Sequence, residues 1–169
     1  APEACPVCGA SAALFHPYQI NKTTADATNI RKVVILGAGI AGLTAAEEAR
    51  RQADKVEITL VSREAGLPYY RLNLTRFLAG EVEEKNLLIQ HQKWFDAQRI
   101  EYLQGEAHTI DRDARTVTLS DGKQLDYDRL IMANGAHPFI PPIPGVNRDG
   151  VMVLRTIEHA RKMISSLRP

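Results

Sequence analysis

The first strong pattern along the chain is an unbroken apolar run, Val33-Val34-Ile35-Leu36, that stops at Gly37. Small and apolar residues then recur at helical spacing through Leu43, Ala45, Ala46 and Ala49. The run predicts a buried strand, and the spacing predicts a helix packed against it. A second run, Val56-Glu57-Ile58-Thr59-Leu60-Val61, predicts another strand, so residues 32–62 form a βαβ unit. The loop from Ser62 to Tyr70 carries Gly66 and Pro68, and Arg71 to Ala79 follows as a short helix stopped by Gly80. Gln90 to Gln98 predicts a further helix, with Trp94 and Phe95 as its core anchors. Three short strands come next: Ala107-His108-Thr109-Ile110, Thr116-Val117-Thr118-Leu119 and Lys123-Gln124-Leu125. Asp121-Gly122, between the last two, is a hairpin turn pair. Arg129-Leu130-Ile131-Met132-Ala133 predicts a buried strand, followed by a proline-rich passage, Pro138 to Pro144, and a final helix from about Ile157 to Leu167. The expected fold is α/β: a parallel sheet with an antiparallel β-meander inserted into it.

Composition narrows the classes of function. The chain has 169 residues, 44% of them hydrophobic and 24% charged, enough for one core and one domain. Its net charge is +1, and Lys and Arg are scattered among acids, so it lacks the basic footprint of a nucleic-acid binder. No apolar run approaches the ~20 residues needed to span a bilayer. The start shows no charged-then-apolar signal peptide, and the expected location is cytoplasmic. The chain does not begin with Met, which suggests processing or a start inside a longer protein. Residues 1–30 form a lead segment that ends in a polar, linker-like stretch, Asn21 to Asn29.

The turn after the first strand is where chemistry concentrates. Gly37-Ala38-Gly39-Ile40-Ala41-Gly42 is a Gly-x-Gly-x-x-Gly with a strand before it and a helix after it. Gly37 allows the tight turn, Gly39 lets the backbone approach a pyrophosphate, and Gly42 lets the helix pack close to the sheet. The pyrophosphate would sit at the helix N-terminus, where unpaired N–H groups and the macrodipole favour negative charge. Glu64 lies 22 positions after Gly42, beside the end of the second strand. That is close to the ~20 expected of a carboxylate that binds ribose.

A second signal is Ala4-Cys5-Pro6-Val7-Cys8-Gly9-Ala10, a Cys-Pro-x-Cys-Gly knuckle in which Cys5 and Cys8 can face one metal ion. A tetrahedral Fe or Zn site takes four ligands and this pair supplies two. The other two come from a removed upstream pair or a second chain, or else the knuckle is vestigial. His16 is a candidate third ligand, set against a solvent-facing histidine. His91, His108, His137 and His159 have no partner pattern.

The passage Tyr127-Asp128-Arg129-Leu130-Ile131-Met132-Ala133-Asn134-Gly135-Ala136-His137-Pro138-Phe139-Ile140-Pro141-Pro142-Ile143-Pro144-Gly145 resembles the second fingerprint of FAD-dependent pyridine-nucleotide oxidoreductases. With the glycine turn and the Asp-Gly meander, the resemblance covers about Ile30 to Pro169. Leu67-Pro68-Tyr69-Tyr70-Arg71-Leu72-Asn73-Leu74 is similar to the Pro-Tyr-x-Arg segment of rubredoxin reductases, ferredoxin reductases and the flavin part of nitrite reductases. Relatives that reduce disulfides carry reactive cysteines after the second strand. This chain has none after Cys8, and disulfide exchange needs a thiolate, so that chemistry is excluded within it.

The resemblance implies a Rossmann-like FAD-binding domain over residues 31–169, a linker over 21–30 and a rubredoxin-like metal knuckle over 1–20, with Ala13-Leu14-Phe15 as that domain's tail. It implies that Gly37, Gly39 and Gly42 line the FAD pyrophosphate, with Ala38, Ile40 and Ala41 completing the turn. Glu64, next to Ser62 and Arg63, would hold the adenosine ribose. Arg71 would lie near the phosphates or flavin, and Ala107 would meet the adenine through its backbone. Ala133, Asn134 and Gly135 would form the second turn. Arg63 departs from the family by standing where several relatives have an acid, and Asn134 replaces the usual Thr.

The implied function is the FAD-binding part of an NAD(P)H-dependent oxidoreductase. It would pass electrons to a rubredoxin-like small redox protein or an attached metal centre, with the remainder of the flavoprotein as partner. The alternatives are a non-catalytic FAD- or nucleotide-binding module and an NAD-binding Rossmann domain; the Tyr127–Gly145 passage follows the flavin pattern. No general base or nucleophile is expected, because the flavin carries the chemistry. The NAD-binding domain would begin where this chain stops, so the isolated chain is expected to be inactive.

Overall fold

The computed structural model describes Ser11 and residues 29–167. Cys5, Cys8, His16 and nearly all of the lead segment and linker lie outside the described residues. From Lys32 onward the order is β1 (Lys32–Leu36), α1 (Ile40–Gln52), β2 (Glu57–Ser62), a 3-10 turn (Arg71–Asn73), α2 (Leu74–Leu78), a second 3-10 turn (Glu84–Leu87) and α3 (Gln92–Gln98). Then come β3 (Ile100–Gln104), β4 (Ala107–Asp111), β5 (Thr116–Leu119), β6 (Gln124–Asp126), β7 (Arg129–Met132) and α4 (Ile157–Leu167).

Four strands form a parallel sheet in the order β3-β2-β1-β7, with β1 paired to β2 from Lys32↔Glu57 to Leu36↔Val61 and to β7 from Val33↔Arg129 to Leu36↔Met132. β1 is apolar without alternation because both its faces are covered, as expected of a central parallel strand. Val33 and Ile35 face a core of Leu43, Ala46, Ile58, Leu60 and Phe95, contributed by α1, β2 and α3. Val34 and Leu36 face the opposite way, onto Val61, Val117, Leu119 and Leu125. The last three belong to a separate antiparallel sheet, β4-β5-β6. The meander is therefore inserted in chain order but stacks on the parallel sheet as its second layer. Its hairpin is built by Asp121 and Gly122: Gly122 takes a φ of +87°, and the Asp121 carboxylate accepts the Lys123 N–H at 2.9 Å.

A third cluster, Tyr69, Leu74, Leu87, Ile157 and Ala160, joins the loop after β2 to α4.

The structure departs from the sequence expectations at three places. The sequence pattern predicts no strand over Ile100–Gln104, yet β3 pairs with β2 from Ile58↔Ile100 to Ser62↔Gln104. The helix expected over Arg71–Ala79 divides into a 3-10 turn and the five-residue α2. The strand expected to be buried over Arg129–Ala133 is an edge strand of the described sheet. Leu130 and Ile131 are half-covered and Met132 is 56% exposed, because β7 has a neighbour on one side only.

Candidate nucleotide-binding site

The order β3-β2-β1-β7 reverses chain direction at β1. β2 and β3 lie to one side and β7 to the other, so the carboxyl end of β1 is the switch point of an open parallel sheet. Three segments converge there: the glycine turn, the end of β2, and the end of β7.

The three glycines differ in what surrounds them. Gly37 has a φ of +108°, and a Cβ built on it would run into the Ala133 carbonyl and come within 2.9 Å of Asn134 Cα. Its N–H donates to Val61 O at 2.8 Å, while Ala133 N–H donates to Leu36 O at 2.8 Å, so the turn is tied to both neighbouring strands. A Cβ on Gly42 would collide with the Gly37 carbonyl and lie 3.3 Å from Leu60 Cδ1, which is the close approach of helix to sheet. Around Gly39 there is open space, with nothing within 4 Å of the added carbon.

Gly39 is also the N-cap of α1. It offers no side-chain cap, and the first turn holds no acid. The first backbone bond of the helix runs from Leu43 N–H to Gly39 O at 3.0 Å, so the N–H groups of Ile40, Ala41 and Gly42 precede the ladder. Ile40 and Ala41 are exposed and Ala38 packs on the core. The result is an uncapped positive helix end beside an empty cradle that only glycine leaves open. That arrangement suits a pyrophosphate.

At the end of β2, Ser62 is buried; its hydroxyl donates to Glu64 O at 3.2 Å and its carbonyl accepts the Gly105 N–H at 2.8 Å. Arg63 is exposed and reaches Glu106 at 3.5 Å. Glu64 turns inward, its carboxylate ion-paired with Arg71 and accepting the Tyr69 hydroxyl at 2.5 Å. Arg71 also donates to Tyr69 Oη at 3.1 Å and to Arg155 O at 2.9 Å. Burial, then the Glu64 carboxylate, pushes the Tyr69 hydroxyl up to about 12, so it is a donor to Glu64 at every physiological pH. Ala107 is exposed at the start of β4, next in the chain to Glu106, which Arg63 reaches.

At the end of β7, Asn134 and Gly135 are exposed and Gly135 has a φ of +69°. The Arg155 guanidinium lies beside this turn, with Nη2 3.2 Å from where a Gly135 Cβ would stand. It pairs with no carboxylate among the described residues. Sequence reasoning did not single out Arg155. Its signal in the sequence is weak: one of two arginines, with Arg148, between the proline-rich passage and a helix start.

Among the described residues no group of three or more His, Cys, Asp or Glu is placed to hold a metal, and no helix is long and apolar enough to cross a membrane. A cavity of about 690 Å³ lies away from the glycine turn, between α2 and α4, lined by Phe77, Val82, Arg161 and Ile164 among others.

A parallel sheet with a glycine turn at its switch point defines an α/β dinucleotide-binding domain. Residues 31–169 match the family described as "Pyridine nucleotide-disulphide oxidoreductase", and the chain belongs to that family. It is 39% identical over 137 residues to rhodocoxin reductase of Rhodococcus erythropolis, covering 80% of this chain and 32% of that protein. The crystal structure of NADH:rubredoxin oxidoreductase from Clostridium acetobutylicum superposes with a TM-score of 0.72 at 32% identity, covering 79% of this chain and 35% of that one. The covalent putidaredoxin reductase–putidaredoxin complex also superposes at 0.72, with 33% identity, 80% of this chain and 34% of that one. The chain thus spans about a third of the length of the relatives it matches.

Proposed function

We propose that residues 31–169 are the FAD-binding segment of an NAD(P)H-dependent oxidoreductase that delivers electrons to a small redox protein. The observation that carries this is the open space at Gly39, beside the uncapped start of α1 and at the switch point of the sheet. The names of the relatives support the finer reading: one is a rhodocoxin reductase, one acts between NADH and rubredoxin, and one is complexed with putidaredoxin. A cytoplasmic location goes with it.

In this reading the N–H groups of Ile40 and Ala41 face the pyrophosphate, and Gly37, Ala38 and Gly42 shape the turn. Arg155 supplies a cation at the Asn134–Gly135 end. Glu64 holds the adenosine ribose; its carboxylate has about four lone-pair sites, and Tyr69 and Arg71 do not exhaust them. Ser62 and Ala133 fix the strand ends, and Ala107 offers its backbone to the adenine. When bound, the isoalloxazine supplies the hydride and electron chemistry; the residues of this chain bind and orient it. Cys5 and Cys8 provide two thiolates of an Fe or Zn knuckle, completed by ligands from elsewhere.

The test is the absorbance spectrum of the purified native protein, followed by FAD titration. A flavin spectrum that disappears in Gly39→Val supports the reading. Full flavin occupancy in that variant places the site elsewhere, and a nicotinamide nucleotide without flavin favours the plain NAD-binding alternative. In the same titration Glu64→Ala is expected to weaken FAD roughly 10- to 150-fold, since a hydrogen bond to a charged group contributes about 1.5–3 kcal/mol. A larger loss in Arg63→Ala overturns the assignment of the ribose to Glu64.

A further inference from the structure

The Tyr69 ring is accounted for by its apolar neighbours Leu74, Leu87 and Ile157. Its hydroxyl is not. That oxygen donates to Glu64 Oε2 at 2.5 Å and accepts from Arg71 Nη1 at 3.1 Å and from Ile157 N–H at 2.9 Å. One donor and two acceptor sites are all that a phenol has, and each is used. Ile157 is the first residue of α4 and lies 88 positions from Tyr69. The Arg71 nitrogen that meets the hydroxyl also holds the Arg155 carbonyl at 2.9 Å.

Two of the three groups that meet at this oxygen lead to opposite ends of the nucleotide site, Glu64 directly and Arg71 through the Arg155 carbonyl it holds. Glu64 follows the end of β2, and Arg155 stands against the Gly135 turn after β7. We propose that the Tyr69 hydroxyl is a positioning group for the nucleotide site, fastening the loop after β2 to the start of α4 so that Glu64 and the Arg155 guanidinium are held at fixed places. The inference rests on the cofactor reading above. It assigns Tyr69 no contact with the cofactor; the residue acts through Glu64 and Arg155. Its high pKa accords with a hydroxyl that stays protonated and keeps donating to Glu64.

The experiment uses the full native flavoprotein with Tyr69→Phe, Arg155→Ala and the double variant, and measures the FAD dissociation constant of each. Tyr69→Phe keeps the buried ring and removes the oxygen, so the fold is retained. Each single variant is expected to weaken FAD about tenfold, and the double variant little more than the weaker-binding single, because one acts through the other. Amide hydrogen exchange at Ile157 in the flavin-free protein is expected to accelerate in Tyr69→Phe. A purely structural tyrosine would lower the melting temperature and leave FAD affinity unchanged, or its effect would multiply with that of Arg155→Ala; either result overturns the proposal. Wild-type protein that binds no FAD ends the cofactor reading and this inference together. Wild-type protein that binds FAD no better than Tyr69→Phe ends this inference alone.

Discussion

At the scale of single residues, the three glycines look equivalent in the sequence and are not equivalent in space. Gly37 is required by the protein itself, through its φ of +108° and the Ala133 carbonyl packed against it. Gly39 meets no protein atom. Gly37→Ala is therefore expected to lower stability by roughly 2–4 kcal/mol in urea unfolding, from strain and a backbone clash. Gly39→Ala is expected to change it by less than about 1 kcal/mol. Equal losses at the two positions would show that the Gly39 cradle is closed by the protein. The turn and its spacing were legible because glycine has few other reasons to occur in that rhythm. Arg155 was not, since it belongs to no periodic element and gains its place only when α4 docks on Tyr69.

Asp128 is a residue of another kind, joining two strands that meet only in space. Its carboxylate accepts the Arg31 N–H at 2.7 Å and the Lys32 N–H at 2.9 Å, at the entrance to β1. Those two backbone donors hold its carboxyl below the ordinary carboxylate range. A lowered folded-state pKa means stability that is present above the unfolded-state value and is lost as pH falls through the folded one. Asp128→Asn keeps an acceptor without the charge. It should be less stable than wild type at pH 6, and the gap should close as the pH drops below about 4. Melting curves at several pH values that stay a constant distance apart would refute this.

At the scale of elements, α1, β2, the Asp121-Gly122 hairpin and α4 follow from local pattern, because each pattern is also what packing demands. β3 escaped because the signal that should precede it is disguised. Helix α3 ends in a left-handed residue, a position where glycine is usual, and here it is Arg99 with a φ of +51°. The buried face of α1 holds a similar surprise. Arg50 is only 9% exposed, and its guanidinium donates to Gln98 O at 2.8 Å, Ala53 O at 3.3 Å, Asp54 O at 2.5 Å and Arg99 O at 2.9 Å. Those carbonyls lie at or just beyond the C-terminal ends of α1 and α3, where carbonyls lack helical partners and a cation is favoured. One side chain thus caps two helices and ties them together. Arg50→Met should cost about 3 kcal/mol, because it leaves several part-buried carbonyls without their donor, and Arg50→Lys should recover only part of it, lacking the planar fork. Chemical denaturation of both variants checks this; a loss under about 0.5 kcal/mol would mark Arg50 as an ordinary surface residue.

At the scale of the whole molecule, fold and activity separate. The described residues have two packed layers around β1, and the proposed nucleotide site draws on β1 and its two neighbours, β2 and β7, so this part of the chain can hold an α/β core. The sequence contains one Gly-x-Gly-x-x-Gly, and the chain spans about a third of the relatives it matches. Hydride transfer requires donor and acceptor at near-attack distance, about 3–3.5 Å, which in turn requires a second nucleotide to be held against the flavin. The described residues place one uncapped, glycine-led helix start at the switch point and no second one facing it. These 169 residues alone should therefore retain FAD weakly and bleach it with NADH or NADPH no faster than free flavin. Stopped-flow absorbance with this polypeptide decides the point. Fast bleaching that saturates with nicotinamide concentration would show that the glycine turn, Glu64 and Arg155 already belong to a complete site, and that the open face beside Gly39 receives both nucleotides.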